Sequence, residues 1–226
     1  MINDLKLAFK IIPYGLNFKG NIFSFLLFFV LGLVMEISTP DMGLGGLYVG
    51  MGSLLVVQLI HSVCVSTMVQ TSPYKKRLQT VIPSIIGGGY LLIANTVTMI
   101  AKWIGFQHNN NVGYGIRFEG EGAFSNAVVL SSCMMIVVML YMGVALKCFW
   151  PATVIFFIVF VGLYAITIVS VTRGGVSVVA LPVEVAIVLS YVAILIGTLC
   201  MYWIFKAMYK MEYSKITFDA ALKRVK

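Results

Sequence analysis

Charge is scarce in this chain, and so are the residues that most chemistry needs. Only 11% of its 226 residues are charged, against about 25% in an ordinary soluble domain. It has 8 acids and 2 histidines, which leaves little raw material for acid–base or metal chemistry. The cysteines Cys64, Cys133, Cys148 and Cys200 lie in or beside apolar runs, and no two form a C-x-x-C. They read as small hydrophobes, with no disulfide or zinc framework. A G-x-x-x-x-G-K-[ST] is missing, so the chain holds no P-loop for ATP. An H-E-x-x-H is missing too, and His61 and His108 fall at different levels. Ser53 and His61 share one expected helix but stand about 12 Å apart along its axis, too far for a nucleophile and its base. These absences exclude most enzymes, and they predict no catalytic residue, metal or cofactor on this chain.

What the chain has is apolar length. Apolar residues make up 60% of it, against about 45–50% in a soluble domain. A core of this size cannot hide so much apolar surface, so a soluble enzyme, a disordered tail and a secreted disulfide scaffold are excluded together. Six runs approach or reach the length of a bilayer crossing: 22–37, 47–69, 81–106, 123–146, 152–171 and 181–205. They are continuous rather than alternating, which predicts helices and not barrel strands. The expected fold is an all-α membrane protein with six transmembrane helices. The whole chain, 1–226, reads as one membrane domain: an interfacial helix over 1–20, six helices over 21–206 and a tail over 207–226.

Basic residues set the orientation. With the N-terminus inside, the inner segments hold Lys6, Lys10, Lys19, Lys75, Lys76, Arg77, Lys147, Lys206, Lys210, Lys215, Lys223, Arg224 and Lys226. Only Lys102, Arg117 and Arg173 of the 16 basic residues fall outside or near the outer face. This asymmetry predicts a multi-pass plasma-membrane protein with both termini cytoplasmic, and it accounts for the net charge of +8 without nucleic acid. Trp103, Trp150 and Trp203 fall near the expected interfaces. Glu36, Lys102 and Glu184 fall near outer ends, where they are expected to snorkel to water. The excess of lysine over arginine suggests an AT-rich, bacterial genome.

Shorter patterns refine this picture. Leu5, Phe9, Ile12 and Leu16 recur at helical spacing, with Lys6 and Lys10 on another face, as in an amphipathic helix lying on the inner membrane surface. Pro13 is expected to kink or end its first part. Gln58, His61, Ser62 and Ser66 give the second span a polar side, which reads either as the lining of a substrate path or as hydrogen bonding between helices. Gly46 and Gly50 form a G-x-x-x-G that permits close helix approach. Gly87, Gly88 and Gly89 mark the third span as bendable or tightly packed. The segment 107–122, with three consecutive asparagines, reads as a flexible polar connection.

The inner loop between spans two and three is the most informative stretch. Ser72 and Pro73 suit a helix start, and Lys75, Lys76 and Arg77 follow at once. Ordinary positive-inside charge accounts for the basic run equally well. Taken with the basic N-terminal helix and the six spans, however, this Ser-Pro-Tyr-Lys-Lys-Arg segment resembles the membrane subunit of type-2 ABC exporters. That resemblance implies a coupling helix at Ser72, Pro73, Tyr74, Lys75, Lys76 and Arg77, docked into a separate cytoplasmic ABC ATPase that holds ATP and Mg. It implies a second permease copy or a sister subunit as well. The family often has a longer helical excursion before its last span than 172–182 provides. Spans rich in Phe, Met, Ile and Val suit amphipathic or hydrophobic cargo, and small exporters of this plan resemble those of cytotoxic, antimicrobial or phenol-soluble-modulin-like peptides. A secondary carrier or channel, and a membrane scaffold or sensor that transports nothing, are the alternatives.

Overall fold

A computed structural model describes residues 6, 9–10, 12–15, 18–40, 43–64, 69, 71–112, 121–172 and 181–215. Among these residues every regular element is a helix. A 3-10 turn at Ile12–Tyr14 leads into α1 (Phe18–Ser38) and α2 (Leu44–Cys64). The short α3 (Lys75–Gln79) is followed almost without break by α4 (Val81–Val112). Then come α5 (Glu121–Ala145), α6 (Phe149–Thr172) and α7 (Val183–Ala207). All except α3 and the 3-10 turn are long and apolar enough to cross a membrane, which makes six.

The apolar runs therefore became the helices they predict, with shifted ends. α1 begins four residues before its run, which gives it about 32 Å of length. The larger correction is at α4. Residues 107–112, expected in a flexible connection, continue the helix. Trp103 and Phe106 both pack edge-on against Phe124 of α5, at 5.8 and 5.5 Å. With this last turn anchored, each further residue adds one backbone bond at small cost, even through asparagines.

α2 and α5 form the centre of the bundle. α1 packs on α2, α7 on α5, and α4 touches α1, α2 and α7. Close approach in the centre depends on the G-x-x-x-G. A Cβ at Gly50 would lie 3.0 Å from the Met135 backbone, and one at Gly46 would collide with Ser131, so α2 and α5 cross almost backbone to backbone. Around this crossing Val57, Leu91, Met135, Met139, Ile194 and Met201 form the main buried cluster. α6 packs mainly on α5 and leaves Ile155, Phe157, Ile158 and Val161 exposed. Each such side chain would lose roughly 1.5–3 kcal/mol of burial in water. An outer surface this apolar is consistent with a multi-pass membrane protein.

Candidate functional site

Two polar clusters occupy opposite ends of the bundle. The end carrying Lys75, Lys76, Arg77, Lys147 and Lys206 is called the basic end here, and the other the opposite end.

At the basic end, the chain after residue 69 turns sharply into α3. The Ser72 hydroxyl accepts the Tyr74 N–H at 3.2 Å, and the Ser72 carbonyl accepts the Lys75 N–H at 3.1 Å. Ser72 thus caps the turn before the helix rather than the helix itself. Tyr74 is the N-cap residue, and no side chain caps there. This shifts the expected helix start by two residues. The backbone bonds from Leu78 to Tyr74 and from Thr80 to Lys76 close the helix itself, and the Ser84 hydroxyl, donating to the Thr80 carbonyl at 2.8 Å, ties it to the foot of α4. The segment is two-sided. Pro73, Tyr74, Lys76 and Arg77 are exposed, Ser72 and Lys75 half-buried, and Leu78, Gln79 and Thr80 buried. Leu78 is clamped in a cluster with Ile60, Cys64 and Ile82, and Ile12 from the N-terminal segment packs against it. Of the expected interfacial helix, Phe9 is exposed and Ile12 is partly buried in this way, while Leu5 and Leu16 lie outside the described residues. Pro13 sits in the 3-10 turn at Ile12–Tyr14.

The second span's polar residues do not act as one set. His61 is 3% exposed and turned towards the end of α7, with its ring 5.1 Å from that of Phe205. Its Nδ1 lies 3.1 Å from the Tyr213 hydroxyl. Gln58 and Ser62 are half-buried, and the Ser62 hydroxyl donates to the Leu59 carbonyl at 2.7 Å. Ser66 lies outside the described residues. Of the two readings of this set, helix packing therefore describes His61 better than an open lining does.

Tyr213 belongs to a wider knot. The Lys147 ammonium stands 3.6 Å above its ring centre and donates to the Met211 carbonyl at 2.7 Å. The Ser214 N–H donates to the Leu146 carbonyl at 3.1 Å. Burial lowers the Lys147 pKa to about 8, and the nearby positive charge of Lys75 pushes in the same direction. Burial raises the Tyr213 pKa above its usual range, with help from Cys64 and Tyr209, so its phenol keeps its proton. The α5–α6 turn, the α3 segment, the end of α2 and the chain after α7 thus converge at one point.

The opposite end holds a buried ion pair. Lys102 of α4 and Glu36 of α1 are 1% and 0% exposed, and the ammonium donates directly to the carboxylate. The same ammonium donates to the Pro40 carbonyl at 3.0 Å, and Ser131 of α5 donates to the other carboxylate oxygen at 3.0 Å. Gly45 of α2 lies against the Glu36 side chain with no room for a Cβ. This corrects the expectation that both residues snorkel to water: each is turned inward, because each finds its counter-charge there. Glu184, expected to behave in the same way, is exposed.

The sequence pointed to His61 and to the Ser72–Arg77 segment. It missed Tyr213, Lys147 and Ser131, and it misread Glu36 and Lys102. One signal was available: two opposite charges lie inside separate apolar runs, and ionisable residues there call for a partner. Among the described residues no group of three or more His, Cys, Asp or Glu comes together to hold a metal. A cavity of about 210 Å³ lies between α5 and α6, lined by Leu140, Tyr141, Val144, Ile155 and other apolar side chains. Comparison with protein families, with curated proteins and with solved structures finds no match to this chain.

Proposed function

We propose that this chain is the membrane subunit of an ATP-driven exporter, embedded in a bacterial plasma membrane with its basic end in the cytoplasm. The observation that supports this reading is the two-sided segment at residues 72–80. Its outer side presents Pro73, Tyr74, Lys76 and Arg77, while Leu78 to Thr80 are sunk into the bundle and the Thr80 carbonyl accepts from the Ser84 hydroxyl at the foot of α4. A partner gripping the outer side would therefore move α4 rather than a slack loop. An ABC ATPase, holding ATP and Mg²⁺ itself, is the partner of that description. A second permease copy or sister subunit would complete the path, and the cargo would be an amphipathic or hydrophobic peptide. On this reading the spans rock between two openings while the chain catalyses no covalent step.

The test is a triple variant, Tyr74→Ala/Lys75→Glu/Lys76→Glu. A single surface pair contributes only about 0–1 kcal/mol, so several contacts are changed together. Copurification of the ATPase, or peptide-stimulated ATP hydrolysis in proteoliposomes, should fall by about tenfold or more, as expected when a few anchors carry most of an interface. A triple variant that assembles and exports normally removes this segment as the coupling element.

A second reading has an observation of its own. The Glu36–Lys102 pair is the kind of buried ionisable group that secondary carriers use. Such a carrier would move substrate in reconstituted vesicles that hold no ATPase, which the exporter reading forbids.

A further inference from the structure

After α7, residues 208–215 fold back across the basic end, fastened at three points. Ser214 bonds the Leu146 backbone, Met211 accepts from Lys147, and Tyr213 reaches His61. The Tyr213 ring lies between two groups of unlike kind: the Lys147 ammonium over its face, and the His61 ring at 6.0 Å in edge contact. None of these contacts is made to a carbonyl of α7, whose C-cap bond is the one from the Met208 N–H to the Ile204 carbonyl.

The hydrogen-bond logic beneath the ring is incomplete. The Tyr213 hydroxyl can donate to His61 Nδ1 or accept from it, and either way this bond occupies only one of the two ring nitrogens. The other, Nε2, is buried and has no partner among the described residues. A buried donor or acceptor left without a partner costs about 1–3 kcal/mol, so the site is under-satisfied as it stands.

We propose that residues 208–215 form a strap over the basic end of the bundle, that Tyr213 is the bolt of this strap, and that lifting it exposes the His61 imidazole as a hydrogen-bonding group to a polar group of the entering cargo. The proposal rests on the export reading for its cargo, but not for its strap. Lys147 holds the strap twice, through the Met211 carbonyl and the Tyr213 ring.

Cys64 reports the strap. It is fully buried, one turn beyond His61 towards the basic end, with its thiol directed at the Leu78 carbonyl at 3.8 Å. In a Cys133→Ser/Cys148→Ser/Cys200→Ser background it is the single thiol, and its reaction with a charged maleimide in permeabilised cells measures opening. Tyr213→Ala should speed that reaction by about tenfold or more, because ring, cation contact and hydrogen bond are all lost. Tyr213→Phe loses the hydroxyl alone and should speed it by about threefold. Equal rates in the parent and in Tyr213→Ala overturn the strap. For function, a Leu146→Cys/Ser214→Cys pair in a cysteine-free background uses the backbone bond that brings these residues within disulfide reach. Oxidation should cut ATP-driven peptide transport in proteoliposomes by about tenfold or more, with recovery in reductant. Full transport through a completely crosslinked protein overturns the gating role. A parent protein that transports no peptide with its ATPase sinks the export reading instead, and the Cys64 rates still decide the strap.

Discussion

Glu36 and Lys102 show how a single pair of side chains can constrain three helices. Each charge alone would be expensive to bury, and together they satisfy one another, with Ser131 and the Pro40 carbonyl taking up remaining bonding capacity. Such a pair is weak evidence for net stability but strong evidence for mutual dependence. Glu36→Gln leaves an ammonium without its counter-charge, and Lys102→Met leaves a lone carboxylate. Each single change should cost about 3–5 kcal/mol, whereas Glu36→Met/Lys102→Met together should restore most of the loss. Thermal unfolding in detergent of the four proteins, read as a double-mutant cycle, measures this. Single variants as stable as the parent would show that the two charges are not buried together.

At the scale of elements, neighbouring glycines serve unlike purposes. Gly87, Gly88 and Gly89 left open whether α4 bends or packs tightly there, and the helix runs unbroken through them. Gly88 lies directly under Thr198 of α7, so an added methyl has nowhere to go. Gly89 has nothing within 4 Å of where its Cβ would be. Gly88→Ala should therefore destabilise by about 1–3 kcal/mol through overpacking. Gly89→Ala should stabilise by about 0.5–1 kcal/mol, since alanine gives up less backbone entropy in a helix. Melting temperatures of the two variants should move in opposite directions from the parent, and a shared direction would contradict the α4–α7 contact. The same reasoning explains the α2–α5 crossing. The G-x-x-x-G spacing was visible in the sequence, but the partner helix was not, because Ser131 and Met135 carry no pattern that announces it.

For the whole molecule, what could be read in advance was local. Long apolar runs became helices because hydrophobic length and backbone bonding are properties of one segment. The Ser72–Arg77 turn was legible for the same reason, although its helix starts later than expected. The polar clusters were not legible: Glu36 and Lys102 are 66 residues apart, and His61 and Tyr213 are 152 apart. Orientation lies between these cases, since it depends on where charge falls relative to a membrane, and α4 offers the cleanest way to measure it. At about 48 Å this helix exceeds a hydrocarbon core of about 30 Å, so it is long enough for both its ends to stand clear of lipid. Lys76 is exposed just before it and His108 is exposed near its far end. On a cysteine-free background, an impermeant maleimide added to intact cells should label His108→Cys at once and Lys76→Cys only after permeabilisation. Labelling of both from one side would mean that α4 does not cross the membrane. The reversed pattern would place the basic end outside, against the distribution of its lysines, and would remove every partner that hydrolyses cytoplasmic ATP.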